Sequence, residues 1–497
     1  MRDSTPEHAL VLGAGIAGLA TSLALARAGL RVTVLDRDPP PPAATADEAF
    51  AAWDRRGVGH VRHSHAFLAV LYQLLRNSYP DLLDELLAAG CRELTFADGL
   101  PATLREGYVA TRGDADLTIL TSRRTTLEFV IRAYVAREPN ITIETGTRVR
   151  DLIVEPGTPP RVAGVMAETD TTPLAPRHAD LVIDAAGRTS QTPAWLEAHG
   201  IEVPETTAPC GIVYFTRHYR LRPGMAEPAR GTVPGAGDLG YLKYGVFPGD
   251  NGCFSITLAV PEIETGLRMA LVAPETFDAC CAMLPGIAKW IDPARAEPAS
   301  RVLGMGRLES RWRRFVTGDM PAVTHFFAVG DAAVRTNPLY GRGCSCAFVE
   351  AHALAEAVRA TPDAIKRACL YAASVEREIR PYYENMIKQD RTAMRRAMRE
   401  MDPALPRSLK GRLMASFADN AVTPALRASV PLLREAMKGF HMLEPPTDWL
   451  KRPANIARVL AMWVRPAPLK RHLYPPRLGP ARLEMHARLG AAPAVQR

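Results

Sequence analysis

Residues 8–18 are His8-Ala-Leu-Val-Leu-Gly13-Ala-Gly15-Ile-Ala-Gly18, and residues 31–36 are Arg31-Val-Thr-Val-Leu-Asp36. The apolar run before Gly13 predicts a strand that enters a glycine turn. The Ala- and Leu-rich stretch from Leu19 to Ala28 predicts a helix that ends at Gly29, and the β-branched run after it predicts a second strand. Together these stretches predict a βαβ unit that opens an α/β domain.

Each glycine of this turn has a separate physical role. Gly13 permits a tight turn, Gly15 lets the backbone approach a pyrophosphate, and Gly18 allows the helix to pack closely against the strand. The unpaired N–H groups and dipole of the helix N-terminus favour the phosphates, while Asp36 accepts from an adenosine ribose hydroxyl. We therefore predict a dinucleotide site that also includes the adjacent Arg37. The alternative is a packing turn without a nucleotide.

Composition limits the class of protein. The 497 residues suffice for two to four domains, and 47% hydrophobic with 23% charged residues is typical of a globular chain. The sequence has no apolar run of about 18 residues and no leader-like segment before the first strand, so we expect a cytoplasmic protein. The net charge of +8 comes without a nucleic-acid-binding motif, so no nucleic-acid partner is predicted. The eight scattered cysteines are expected to be reduced and mostly buried.

Two polar segments precede the middle of the chain. Residues 43–54 are expected to be an acidic surface connection, and the loop after them carries His60, His63 and His65. These histidines share no helical face and have no nearby Cys or carboxylate, so we favour a hydrogen-bonding loop beside the nucleotide over a metal site.

Arg124 lies where a strand passes into a helix. It is predicted to meet a phosphate or a cofactor ring, with a salt bridge to Glu128 as the alternative.

A third segment, residues 178–190, is predicted to be a buried strand that ends in the Asp184-Ala-Ala-Gly187 turn. Such a turn can approach a pyrophosphate, so Asp184 and Gly187 are candidate cofactor contacts. The stretch from Cys210 to Val260 then changes to β-branched and aromatic strands with a Pro248-Gly-Asp-Asn-Gly252 hairpin. This inserted antiparallel sheet predicts a substrate floor, with candidates Tyr214, Arg217, Tyr244 and Phe247.

A second glycine-rich focus lies at residues 326–347. A strand ends at Gly330-Asp331, whose carboxylate can bind polyhydroxyl groups. Pro338, Gly341 and Gly343 then form a turn whose small residues and free N–H groups can lie against a flat ring before the next helix. The thiols of Cys344 and Cys346 are expected to pack rather than to act as a redox pair.

As a set, these motifs resemble the FAD-dependent monooxygenases of the para-hydroxybenzoate hydroxylase fold, over about the first 370 residues. The stretches Arg56-Gly-Val-Gly-His60, Ser122-Arg-Arg-x-x-Leu-Glu128 and Pro193-Ala-Trp-Leu-Glu197 are most similar to the branch that contains the polyether-type epoxidases. The resemblance implies that Asp331 holds the ribityl chain, that Arg124 lies near the flavin or pyrophosphate, and that the Pro338 turn lines the isoalloxazine. His60 and Arg342 depart from the family pattern, because glutamine is common at both positions.

The resemblance also implies an architecture. We expect a Rossmann-like FAD-binding domain of a GR2-type flavoprotein (residues 1–204 and 301–370), an inserted antiparallel β-sheet substrate domain (205–300) and a C-terminal helical region (371–497). The last region is basic and Met-rich. Its helices are expected to pack on the first two domains, and peripheral contact with a membrane is the alternative.

The implied activity is a monooxygenase that uses a flavin hydroperoxide to epoxidise or hydroxylate a largely apolar secondary-metabolite or isoprenoid substrate with O2. Electrons would come from NAD(P)H or a flavin reductase partner. No catalytic side chain is assigned, because here the protein binds, orients and excludes water. The alternatives are an FAD-dependent reductase or desaturase of an isoprenoid or polyketide double bond, a non-catalytic FAD-binding partner protein, and a flavin halogenase, although the sequence has no Trp-x-Trp-x-Ile-Pro segment.

Overall fold

The computed structural model describes residues 6–491. Its strands are β1 His8–Leu12, β2 Arg31–Asp36, β3 Arg92–Leu94, β4 Ile119–Thr121, β5 Ile141–Thr145, β6 Arg148–Glu155, β7 Arg161–Glu168, β8 Ala175–His178, β9 Leu181–Asp184, β10 Glu205–Pro209, β11 Ile212–Leu221, β12 Ala236–Asp238, β13 Lys243–Pro248, β14 Cys253–Pro261, β15 Ala296–Pro298, β16 Leu303–Met305, β17 Glu309–Arg313, β18 Val316–Thr317, β19 Met320–Pro321, β20 Phe326–Ala328 and β21 Val334–Arg335.

The helices alternate with these strands at first and then dominate the end of the chain. They are α1 Ile16–Arg27, α2 Ala46–Ala52, α3 Ala69–Ser78, α4 Pro80–Ala88, α5 Ala102–Arg105, α6 Arg124–Val135, α7 Thr192–Ala198, α8 Thr265–Ala270, α9 Pro274–Ala282, α10 Gly343–Ala360, α11 Ala364–Glu378, α12 Arg380–Met401, α13 Leu409–Phe417, α14 Thr423–Leu426, α15 Val430–Phe440, α16 Asp448–Lys451, α17 Pro453–Val464, α18 Ala467–Lys470 and α19 Arg482–Leu489.

A parallel sheet in the order β20-β9-β1-β2-β5 forms the centre of the first domain. Strands β1, β9 and β20 are mostly apolar and buried, as strands covered on both faces require. Helices α1 and α10 pack against each other beside it, and Leu10, Leu19, Phe348 and Leu354 are buried in one continuous core. The glycine turn and the Gly330 turn leave neighbouring parts of this sheet at the carboxyl ends of their strands, where α/β folds bind ligands. The predicted βαβ unit is confirmed.

The predicted antiparallel sheet is also confirmed. Its order is β12-β13-β14-β11-β15, and β16, which follows residue 300, pairs with β11 as well. The hairpin at residues 248–252 joins β13 and β14 as predicted. Helices α8 and α9 were not predicted. They cover one face of the sheet and bury Leu267, Phe277 and Cys281 in a second hydrophobic core.

The C-terminal region is helical as predicted, and part of it packs on the two domains. Tyr382, Tyr383 and Met386 of α12 belong to the core of the first domain, whereas Met485 of α19 belongs to that of the inserted sheet. None of the helices within residues 6–491 is long and apolar enough to cross a membrane.

One local prediction was wrong. Residues 43–54 are not only a surface connection, because they contain α2. Thr45 caps this helix by accepting from the Glu48 N–H at 3.3 Å, while the Glu48 carboxylate accepts from the Thr45 N–H at 3.1 Å. This reciprocal capping satisfies two donors that a short helix would otherwise expose.

Candidate functional site

A continuous cavity of about 1120 Å³ runs from the glycine turn of the parallel sheet to the inserted antiparallel sheet. Its walls come from the turn between β1 and α1, the loop 55–66, the turn after β9, one face of β11, β13 and β14, and residues 336–344. Typical small-molecule sites have volumes of about 300–1,000 Å³. The cavity is therefore large enough for a dinucleotide cofactor and part of a second molecule.

The glycine turn has the geometry that its sequence predicts. Gly13 has φ +102° and donates its N–H to the Leu35 carbonyl at 2.8 Å. A Cβ built on Gly18 would lie 1.8 Å from the Gly13 carbonyl oxygen, so only glycine permits this approach of helix and turn. Gly15 caps α1 without a side-chain acceptor. The first N–H groups of the helix therefore face the cavity unpaired, which suits an anion.

Asp36 lies at the end of β2 and lines the cavity, but arginines hold its carboxylate. Its Oδ2 accepts from Arg55 at 2.9 Å and from Arg132 at 3.0 Å, and its Oδ1 accepts weakly from the Asp38 N–H at 3.4 Å. Arg37 also lines the cavity and is half exposed. Asp36 can thus still meet a ribose through Oδ1, while its position is fixed through Oδ2.

Arg55 is a central residue to which the sequence analysis gave no role. Its guanidinium is 1% exposed and contacts the carboxylates of Asp36, Asp38 (3.3 Å) and Glu128 (2.7 Å), and it donates to the Ala14 carbonyl at 2.9 Å. Burial lowers the pKa of Arg55, but the carboxylates, Glu128 first, outweigh burial and raise it. The only signal in the sequence was an arginine pair before the histidine loop, and that signal does not show where the loop folds.

Arg124 connects this buried cluster to the histidine loop. Its Nη1 donates to His60 Nε2 at 3.0 Å and to His65 Nε2 at 3.1 Å, and its Nε faces Glu128 at 3.4 Å. The predicted salt bridge and the predicted cavity position therefore coexist. Burial, followed by the charge of Arg124, lowers the pKa of His60 and of His65 well below the ordinary value, so both rings stay neutral and can accept.

No group of three metal-ligating side chains is assembled anywhere in residues 6–491. His63 instead bonds through its Nδ1 to the Thr216 hydroxyl at 3.0 Å. The thiol of Cys344 lies 3.8 Å from Arg124 Nη1, and burial raises its pKa. The histidine loop is thus a set of neutral hydrogen-bonding groups at the cavity wall.

The second glycine-rich segment forms a further part of the wall. Asp331 lines the cavity directly after β20, and burial raises the pKa of its carboxyl above the ordinary value. Pro338, Gly341 and Gly343 all line the cavity too, and a Cβ on Gly341 would lie 2.9 Å from the Ala66 Cβ. A side chain is therefore excluded at Gly341, where the backbone itself forms the wall and can lie against a ring, while Leu339, Tyr340 and Arg342 add side chains to the same wall.

The position of Asp184 corrects one prediction. Its carboxylate is fully buried, accepts from the Ser190 hydroxyl at 2.5 Å and from the Ala186 N–H at 3.0 Å, and also bonds to Thr192. These bonds hold the carboxylate inside the turn, and Asp184 is not among the residues that line the cavity. Gly187, three residues later, does line the cavity.

Three of the four candidate substrate residues line the cavity, and Arg217 does not. Tyr214 and Thr216 of β11, with Phe247 of β13, face it. Tyr244 borders the cavity too, but the register pairs it with Leu258, opposite Phe215, so its side chain lies on the other face in the second hydrophobic core. Successive strand side chains point to opposite faces, so Arg217 lies on the other face, where it bonds to Asp278 at 2.6 Å. The prediction for Arg217 was wrong because the sequence did not reveal which face of the strand is inward.

A buried polar chain adjoins Tyr214 and was not predicted. The Tyr214 hydroxyl donates to Asn337 Oδ1 at 2.6 Å, and Asn337 Nδ2 donates to Asp390 Oδ1 at 2.9 Å. Tyr340 donates to the same carboxylate oxygen at 2.8 Å. Burial raises the pKa of Asp390 to about 6. Asp390 lies in the basic helix α12, so its role depends entirely on the packing of that helix against the Pro338 turn.

The donor set fits a flavin dinucleotide. The α1 N-terminus and the glycine-only approach at Gly18 match a pyrophosphate. Asp36 and Asp331 both offer carboxylates to the cavity, and Gly341 and Gly343 offer backbone at its wall. The segment Gly235-Ala-Gly237-Asp-Leu-Gly240 repeats the GxGxxG spacing. It includes the edge strand β12 and leads into no helix, so it forms no second dinucleotide turn.

Comparisons with known proteins agree with this geometry. The model of the FAD dependent oxidoreductase (DAO) family matches residues 8–100. Protein Rv3254 of Mycobacterium tuberculosis is 29% identical over 387 residues, which cover 72% of this chain and 74% of that protein. The family match covers the glycine turn, Asp36 and the histidine loop, and it supports FAD as the cofactor and an oxidoreductase activity.

Two solved structures show the same fold. The structure of p-nitrophenol 4-monooxygenase PnpA from Pseudomonas putida has a TM-score of 0.59 and 17% identity, over 88% of this chain and 98% of that one. The myxobacterial chondrochloren halogenase CndH has a TM-score of 0.58 and 16% identity, over 90% and 97%. The chain therefore has the mixed α/β fold shared by flavin monooxygenases and flavin halogenases, with an FAD-binding Rossmann-like domain, antiparallel sheets and C-terminal helices.

Proposed function

We propose that the chain is an FAD-dependent monooxygenase that transfers one oxygen atom from O2 to a largely apolar organic substrate, by epoxidation or hydroxylation. The observation that carries this proposal is the single cavity that joins the glycine turn to the inner face of the inserted sheet. A second molecule bound on that sheet would lie in the same cavity as the ring of the cofactor. The motifs that resemble the polyether-type epoxidases favour epoxidation of a secondary-metabolite or isoprenoid substrate.

The proposed roles of the side chains are binding, orientation and exclusion of water. When bound, FAD supplies the redox chemistry with O2. The α1 N-terminus and Gly15 would hold its pyrophosphate, Asp36 and Asp331 its hydroxyl groups, and the wall at residues 338–343 its ring. The aromatic side chains of Tyr214 and Phe247 would cover an apolar substrate. A low-polarity chamber protects reactive species from water, which is the main contribution that this chain can make to oxygen transfer.

The neutral imidazoles of His60 and His65 also suit this role. Both accept from Arg124, so they hold the guanidinium in place at the wall without adding positive charge to the cavity. The family pattern has glutamine at the position of His60, and a neutral imidazole retains the acceptor that a glutamine side chain offers. Arg124 would therefore face the cofactor as a fixed cation.

Electrons would come from NAD(P)H or from a flavin reductase. Residues 8–18 form the one GxGxxG turn of residues 6–491 that leads from a strand into a helix. A nicotinamide donor would thus have to bind transiently in the same cavity, or a partner protein would have to reduce the flavin. The proposal accommodates either source, and anaerobic reduction by NADH, NADPH and a reductase system distinguishes them.

In the decisive experiment, the FAD-loaded protein is photoreduced without O2 and then mixed rapidly with oxygenated buffer. We expect a transient absorbance spectrum that differs from reduced and oxidised flavin and lasts longer with apolar alkenes present. Mass spectrometry with isotopically labelled O2 should then find one labelled oxygen in the product. Direct return to oxidised flavin with every alkene, together with anaerobic reduction of a substrate double bond, would instead establish the reductase. Product halogenation in the presence of halide would identify a halogenase, and the absence of any turnover of bound flavin would identify a binding partner protein.

A further inference from the structure

The C-terminal helices expose large apolar side chains that no part of residues 6–491 covers. They lie on α13, α17 and α18, and we call them the C-terminal apolar face: Leu409 (77% exposed), Leu413 (54%), Met414 (54%), Leu460 (44%), Val464 (82%) and Leu469 (57%). Scattered exposed apolar residues are common, whereas a cluster of large ones marks an interaction surface.

Contacts between the three helices place these side chains side by side. The ring of Phe417, at the end of α13, lies 5.3 Å from that of Trp463 in α17, and the Trp463 indole N–H donates to Ser416 at 3.2 Å. Lys470 donates to the Trp463 carbonyl at 3.3 Å. Apart from Leu409, which lies about two turns away at the start of α13, the exposed residues lie within about one helical turn of these contact points. They therefore form one surface and not three separate ones.

Exposed basic residues neighbour the apolar face along the chain. Arg407, Lys410 and Arg412 flank its α13 side, and Arg465 and Arg471 flank its α17 and α18 side, all of them exposed. Residues 405–420 and 460–473 contain a single acidic residue, Asp419. The surface thus combines outward apolar groups with a positive rim. This is the pattern of helices that lie in a membrane interface and contact anionic headgroups.

We propose that the C-terminal apolar face binds the surface of an anionic lipid membrane, with α13 and α17 lying in the plane of the interface. The charge of the rim selects this occupant, because a second copy docked through the same face would bring two positive rims together. The α17 helix has 12 residues, too few to span a bilayer, for which about 20 are needed. This proposal does not depend on the reaction that the cavity catalyses.

The test is co-sedimentation of the full-length protein with vesicles of phosphatidylcholine alone and of phosphatidylcholine with an equal amount of phosphatidylglycerol. We expect binding to the second kind and little to the first. Val464→Glu should lower the vesicle-bound fraction at least about tenfold, since it places a carboxylate in the interface. Arg412→Gln should lower the partition coefficient about fivefold.

The control variants come from other parts of the surface. Val109 is 76% exposed, so Val109→Glu makes the same change as Val464→Glu at similar exposure, and Arg301→Gln matches Arg412→Gln. Both controls should bind vesicles like the wild type. Equal binding to both vesicle compositions, or equal loss in the control variants, would overturn the proposal. Concentration-dependent dimerisation in sedimentation velocity that Val464→Glu abolishes would also overturn it, since that would assign the face to a second copy.

Discussion

Replacing Gly15 by alanine separates binding of the cofactor from folding of the turn. An ideal Cβ at Gly15 meets only the Val58 Cγ2 at 3.9 Å, an ordinary contact, so the apoprotein has space for it. Alanine is a poorer helix N-cap than glycine, so the free energy of unfolding should fall by no more than about 1 kcal/mol. In contrast, the new methyl group would occupy the space where a pyrophosphate approaches the α1 N-terminus.

The expected loss of affinity follows from hydrogen-bond geometry. A carbon–carbon bond projects the methyl group about 1.5 Å from the backbone, and displacing a phosphate oxygen by that distance moves it beyond hydrogen-bond range of the N–H groups. Each hydrogen bond to a charged group contributes about 1.5–3 kcal/mol. Gly15→Ala should therefore weaken FAD binding by at least about tenfold, and about a hundredfold if the stronger value applies.

The assay titrates the apoprotein with FAD by flavin fluorescence and measures urea unfolding of the same preparations. Gly113→Ala is the matched control, because Gly113 is exposed, lies outside the cavity and would place its Cβ in open space. Gly18→Ala is the contrasting variant: its Cβ would lie 1.8 Å from the Gly13 oxygen, so it should lose stability by about 1–3 kcal/mol or more. If Gly15→Ala binds FAD as tightly as Gly113→Ala does, the pyrophosphate does not lie on this turn.

Three further changes test other parts of the site. Arg124→Gln removes the cation that His60 and His65 contact. It should weaken FAD binding about tenfold in the same titration, and unchanged affinity would exclude Arg124 from the cofactor site. Arg217→Gln breaks an ion pair outside the cavity. It should leave FAD affinity and substrate KM unchanged and lower the free energy of unfolding by less than about 1 kcal/mol. An altered KM would indicate that Arg217 contacts the substrate. Asp390 has a pKa raised from 3.8 to about 6, so the folded protein binds its proton more tightly than the unfolded chain does. Protonated Asp390 therefore stabilises the folded protein below pH 4. This contribution to the free energy of unfolding falls by up to about 3 kcal/mol as the pH rises to about 6. Asp390→Asn should remove that fall in urea unfolding measured from pH 4 to 8, whereas an unchanged pH profile would contradict the raised pKa.

Much of the architecture could be predicted because it depends on local rules. The Gly13 turn, α1 and β2 follow from backbone sterics and apolar periodicity, and these operate over fewer than about 30 residues. The hairpin at residues 248–252 follows from turn chemistry in the same way. Helices α8 and α9 were missed because they lie within a segment whose strands dominated the pattern. The short α2 was also missed, although the Thr45-x-x-Glu48 capping box is a local signal in the sequence.

The candidate site likewise has residues that the sequence predicts and residues that it does not. Gly15, Asp331 and Gly341 could be proposed from the sequence, because glycine-rich turns and the polar residues at strand ends have fixed positions relative to the sheet. Arg55 and Asp390 could not be proposed, because each acts through residues distant in sequence. Arg55 meets Asp36 and Glu128, and Asp390 meets Asn337, only after the loop and α12 have packed.

The sequence by itself determined the βαβ unit, the inserted antiparallel sheet and the helical C-terminus, because hydrophobic periodicity and turn residues act locally along the chain. The tertiary structure decided which face of β11 is inward, and so placed Tyr214 at the cavity and Arg217 away from it. It also turned the Asp184 carboxylate into its own loop. Strand alternation is the same for either orientation of a sheet, and only packing against the helices α8 and α9 resolves it.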